Sequence, residues 1–169
     1  MDVALGVLLF VSLATTHASG DGSHVRTMDP RLRHVIADGM KRSPAFRALV
    51  AQLDASDVIV YAERECMLPP GLVGRLAFMS SVGERRFVNV RISCTLAGTQ
   101  QIASLGHELR HAVEIASAPS VIDEATMAAE YSRIGFPSRA VSRGFDSRAA
   151  IEAGERIALE LSNFTAQTR

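Results

Sequence analysis

His107-Glu108-Leu109-Arg110-His111 places two imidazoles four residues apart with a carboxylate beside the first. On a helix this spacing stacks the two rings one turn above each other, so both reach a single cation from the same side. Zinc accepts imidazole nitrogen at about 2.0–2.1 Å, and a glutamate next to the first ligand is placed to take a proton from water polarised there. The pattern implies metal-assisted hydrolysis, with Zn2+ as cofactor, His107 and His111 as ligands and Glu108 as general base.

A catalytic zinc usually has three protein ligands, so a third is expected. No histidine follows His111, which excludes an all-histidine set built downstream. A carboxylate from the next helix is the natural candidate. If the loop near 117–122 folds the two helices into an antiparallel hairpin, Glu130 stands level with Leu109, midway between the histidines. Glu124 stands about two turns from the middle of the site and needs a tilted crossing to reach it. Near a helix start, Asp123 and Glu124 also interact favourably with the macrodipole without any metal. For Glu130 the alternative is an exposed carboxylate paired with Arg133. Glu114, one turn past His111, is expected to hydrogen-bond a ligand rather than to serve as one. Glu130 is the preferred third ligand, and Glu124 and Glu114 remain open.

These residues resemble the zincin metallopeptidases, and within them the gluzincin branch, where H-E-x-x-H is followed by a glutamate on the next helix. The separation between His111 and Glu130 is similar to that of zinc aminopeptidases, whereas Asp123-Glu124-Ala125 looks like the context in which the branch carries its glutamate ligand. The resemblance covers about 99–135 and implies a peptide or protein substrate, with Glu108 as the base. It also implies a sheet ahead of the metal helix, whose edge pairs with an extended peptide. Tyr131, beside Glu130, reads as a core tyrosine, with oxyanion stabilisation as the alternative.

The elements that must position these groups can be read from periodicity. Thr99 caps a helix running to about Ala116 and stopped by Ala118-Pro119. On it Ile102, Leu105, Leu109, Ala112 and Val113 share one face, and His107, His111 and Glu114 form a polar stripe on the opposite one. That stripe either lines a cleft or faces solvent. A second helix runs from about Asp123 to Ile134, the stretch 135–147 is an exposed connection, and a last helix capped by Asp146 runs from Arg148 to about Leu161. Upstream, Asp29-Pro30 and Ser43-Pro44 start two helices. His34, on the polar side of the first, reads as a solvated surface residue. Residues 58–62, 74–82 and 86–94 read as strands, the last two joined by a tight turn at Gly83-Glu84. Val88, Val90, Ile92 and Cys94 alternate inward on the third. The loop 68–74 lacks the pattern of a phosphate loop.

At 169 residues with 47% hydrophobic and 21% charged side chains, the chain supports one globular domain. Eighteen basic residues balance eighteen acidic ones, and the arginines are scattered, so charge nominates no nucleic acid or anionic membrane as partner. Ala4 to Ala14 is apolar and is followed by small and polar residues, the layout of a secretory signal cut after Ala18, although no Lys or Arg precedes it. A buried N-terminal helix is the alternative. The apolar stretch is shorter than the roughly 20 residues of a membrane span, so no stable span is expected. Cys66 and Cys94 allow one disulfide in an exported chain or two separate buried thiols, and no C-x-x-C spacing points to metal binding by cysteine.

The sequence thus predicts a signal peptide at 1–18, a linker at 19–28 and one domain over 29–165. Its fold class is α+β: N-terminal helices, a small three-stranded sheet, the H-E-x-x-H helix and two further helices, a reduced zincin-like arrangement. The expected activity is that of a secreted or periplasmic zinc metallopeptidase. The alternative is a non-catalytic exported metal-binding or protein-binding module built on the same helix.

Overall fold

The computed structural model describes residues 22–138 and 144–167, and the leader expected at 1–18 lies outside the described residues. The chain is a mixed α+β fold. Asp29 accepts hydrogen bonds from the first turn of α1 (Pro30–Arg42), and Ser43 does the same for α2 (Pro44–Asp54), each followed by proline at the first helical position. There the missing N–H costs nothing and the fixed φ suits the helix.

Four strands form the main sheet: β1 (Val25–Arg26), β2 (Val58–Glu65), β3 (Gly74–Val82) and β4 (Arg85–Ser93), in the order β1-β2-β4-β3. The fourth strand was not expected. Residues read as linker supply it, with Val25 pairing in parallel with Val60 and His24 buried beside it. The β3–β4 hairpin turns at Gly83-Glu84 as expected, with Val82 opposite Arg85 and Gly83 at φ 58°. Only glycine takes that conformation without strain. Among the described residues the pairing leaves β3 as an edge strand with no strand on its outer side.

Val88, Val90 and Ile92 alternate inward and are fully buried, as are Val58 and Val60 of β2. They pack against α3 (Thr99–Ala116) through Ile102, Leu105 and Leu109, and against Phe46 and Leu53 of α2. A cysteine bridge between Cys66 and Cys94, with Cα atoms 5.0 Å apart, joins the ends of β2 and β4.

Two expectations are corrected around α3. Its cap is Gly98, at φ 52°, and not Thr99. More important, α4 (Glu124–Ile134) does not lie along α3 as an antiparallel partner; α5 (Arg148–Gln167) takes that place. Glycine makes the close approach possible. A Cβ on Gly106 would stand 2.1 Å from Ile157 Cδ1, and one on Gly154 would stand 3.3 Å from His107 Cβ. The ends of the supposed exposed connection also pair, β5 (Phe136–Pro137) with β6 (Phe145–Asp146). Among the described residues no helix is long and apolar enough to cross a membrane.

Candidate metal centre

The central helix is held at both its middle and its end. At its C-terminus the buried Arg86 of β4 donates to the carbonyls of Ile115 (2.8 Å), Ala118 (2.7 Å) and Val121 (3.1 Å), and it forms a two-pronged pair with Asp57 at 2.6 and 2.8 Å. Ile115 lies in the last turn of the helix and Ala118 and Val121 in the loop after it, and a guanidinium with five donors ties these carbonyls together at once. Asp57 is thereby held below its ordinary pKa, chiefly by its hydrogen bond with Arg86, against a smaller upward push from burial.

The polar stripe of α3 is not a solvated face. Of its residues His111 and Glu114 are buried, 6% and 9% exposed, and His107 is half-buried, while the neighbouring Glu108 is 5% exposed. They are covered by the start of β3, by Tyr131 of α4 and by the segment entering α5. His107 and His111 stand edge to face with ring centres 4.9 Å apart. Their Nε2 atoms lie 3.3 and 3.5 Å from one oxygen, Asp146 Oδ1. One ligand atom from each of the three residues falls within 4.8 Å of the others. Three ligands at about 2.0–2.2 Å around a tetrahedral ion stand about 3.3–3.6 Å apart. The two imidazole–carboxylate separations match that spacing, and the donor set of two imidazoles and one carboxylate is chemically suited to a divalent cation. This group could hold a metal ion.

Glu130 is not brought to the histidines. Its carboxylate accepts from Arg133 Nε at 3.1 Å, the surface pair that was the alternative expectation. The reason lies in packing: without an α3–α4 hairpin, Glu130 is not level with the site. Glu124 borders the same cleft but is no part of the cluster. Asp146, expected only as a helix cap, is the carboxylate that arrives. The capping role belongs to Ser147, whose Oγ accepts from Ala150 N at 3.1 Å. Two adjacent cap-type residues before a helix that needs one was the signal that could have revealed Asp146.

Around the cluster the partners are specific. His111 Nδ1 is hydrogen-bonded to Glu114 Oε2 at 2.9 Å, so its Nε2 is the nitrogen left for Asp146. This is the role expected of Glu114. Burial alone would lower the pKa of His111, but its hydrogen bonds with Asp146 and Glu114 outweigh that effect and lift it to about 9. Burial, and then the neighbouring charge of His111, lower that of His107. Asp146 is pushed up by burial, but its contacts with His111 and His107 prevail and hold it low. Glu108 is pushed up by burial to about 7. Tyr131 donates its phenolic hydrogen to the His111 carbonyl at 3.0 Å, which favours the core role expected for it.

Glu108 sits against Gly74, where an added Cβ would lie 2.7 Å from its Oε1. The absence of a side chain there lets the edge strand β3 pass over the carboxylate. Between β3, α4 and the β5–β6 ribbon opens a cleft of about 520 Å3, which holds His107, Glu108, His111 and Asp146 at its base and has Leu76 and Met127 in its walls. Compared with known proteins, the chain matches no family model, no curated protein and no solved structure.

Proposed function

We propose that the chain is a zinc-dependent hydrolase that cleaves peptide bonds, with His107, His111 and Asp146 as metal ligands and Glu108 as general base. The observation that carries this reading is the convergence of both Nε2 atoms on Asp146 Oδ1, at 3.3 and 3.5 Å, beside a buried glutamate at the base of a cleft. Zinc bound there supplies a Lewis acid that polarises a carbonyl and lowers the pKa of water to about 7. Glu108, with its own pKa near 7, is suited to accept a proton from the attacking water at a carboxylate oxygen and to return it to the departing amine nitrogen. Glu114 holds the His111 imidazole in place through Nδ1.

The outer edge of β3 supports a peptide as substrate. It borders the cleft beside Glu108 and, among the described residues, has no strand on its outer side, so an extended segment can add there as a further strand. Arrangement of that edge above the H-E-x-x-H helix also supports the reduced zincin-like reading. The disulfide supports an oxidising, exported location.

The test is the zinc content of the purified chain and its hydrolysis of an unstructured protein, before and after Glu108→Gln. Retained zinc with hydrolysis reduced by about 10²–10⁴-fold is expected. Bound zinc without hydrolysis in either form favours a binding module, and a chain that takes up no divalent ion defeats both readings.

A further inference from the structure

We propose that Ser147 is a positioning residue that latches the Asp146 segment to the metal helix, coupling the third ligand to His111 through Glu114. The inference rests on the metal-site reading above. Its basis is an unbroken chain of contacts. Ser147 N donates to Asp146 Oδ1 at 2.7 Å, the same oxygen that faces both imidazoles. Ser147 Oγ donates to Glu114 Oε1 at 2.6 Å, and Glu114 Oε2 is bonded to His111 Nδ1 at 2.9 Å. The same serine oxygen accepts from Ala150 N and so opens α5.

Each link has a physical consequence. Asp146 comes from the β6 end of a two-residue ribbon, an element too short to fix a carboxylate by itself. The helix that follows it is rigid, and Ser147 fixes the start of that helix to α3 across a buried gap, since Ser147 is 2% and Glu114 9% exposed. Both oxygens of Glu114 are then used, one toward each ligand-bearing element. A buried network of this kind loses its order when a single member is removed, because the partners left behind have no water to turn to. Ligand positions set by such partners typically govern metal affinity by 10–100-fold.

The experiment is competitive titration of Co2+ and Zn2+ against a chromophoric chelator, with the visible spectrum of the Co2+ form and the melting curve recorded for each variant. Ser147→Ala is expected to weaken both ions by about 10–100-fold and to alter the Co2+ spectrum. Ser147→Thr, which keeps the hydroxyl and the cap, is expected to restore both. Glu114→Gln offers one acceptor oxygen in place of two and leaves the α5 cap intact, so it carries the same test if Ser147→Ala does not fold; weakened binding is again expected. Unchanged affinity and spectrum in a folded variant, with only the melting temperature lowered, would overturn the latch while leaving the zinc reading in place. Failure of the wild-type chain to bind either ion removes both.

Discussion

At the scale of single residues, the division of labour among four carboxylates decides the chemistry. Glu108 faces the cleft, Asp146 faces the imidazoles, Glu114 backs His111, and Glu130 is occupied by Arg133. Asp146→Ala is therefore expected to lower zinc affinity by at least about a hundredfold, more than the loss of a supporting partner. Glu130→Gln is expected to leave it unchanged, and chelator competition on the two purified variants distinguishes them. An equal loss from both would return Glu130 to the ligand set. The histidine pair was legible because its geometry is local: four residues on a helix fix the relation of two rings whatever the remaining fold. Asp146 was not, because its approach depends on how a ribbon and a helix far along the chain return to α3. Its neighbour Ser147 satisfied the helix end, and that left the aspartate free for another task.

At the scale of elements, the site depends on close approaches at which an added side chain would meet its neighbours, two of them to α3 and one between the ribbon and α4. β3 crosses Glu108 at Gly74, α5 lies against α3 at Gly106 and Gly154, and the ribbon turns back at Gly135. The last is the most restrictive. A Cβ on Gly135 would stand 2.4 Å from the carbonyl oxygen of Asp146 and 2.9 Å from that of Tyr131, both backbone atoms with no rotamer to change. Its φ of −117° is open to any residue, so the constraint is contact and not conformation. Gly135→Ala must push β6 away from α4 and carry Asp146 with it. We expect a loss of about 1–3 kcal/mol in urea unfolding, together with weakened Co2+ binding. Gly83→Ala, strained by its φ of 58° although nothing crowds the added Cβ, serves as the control that loses stability while leaving metal binding intact. The sequence signalled β2, β3, β4 and the five helices through their period and breaks, and the hairpin through Gly83-Glu84, but not the two-residue strands β1, β5 and β6. It did not signal which helix accompanies α3, since α4 and α5 are both amphipathic and loop length alone favoured the nearer one.

At the scale of the whole molecule, one device ties the sheet to α3 and a second ties two of its strands to each other. Arg86 spans from Asp57 to the carbonyls that end α3, and Asp57, held low by that pair, is a depressed carboxylate. Such a group stabilises the fold above its ordinary pKa of 3.8 and loses that contribution as pH falls through its lower folded value. Asp57→Asn is thus expected to cost about 1–2 kcal/mol near neutral pH, the partly exposed carboxylate tempering the figure. The gap to the wild type should close below about pH 3.8 in acid-unfolding curves. The second device is covalent. The Cys66–Cys94 bridge encloses 28 residues of chain separation that include the whole of β3, the strand over Glu108. Closing a loop of that length restricts the unfolded chain by an amount worth roughly 3–4 kcal/mol. In a chain of this size each kcal/mol moves the melting temperature by about 2–4 °C. Cys66→Ser with Cys94→Ser is therefore expected to melt about 10 °C lower by differential scanning calorimetry. Metal binding at 25 °C should persist, because His107, His111 and Asp146 belong to α3 and the ribbon, outside the enclosed loop. On the proposed function, hydrolysis should fall further than metal affinity does, since β3, the edge proposed to take the peptide, lies in the loop that is released. Equal losses of both would place the bridge among the supports of the metal itself.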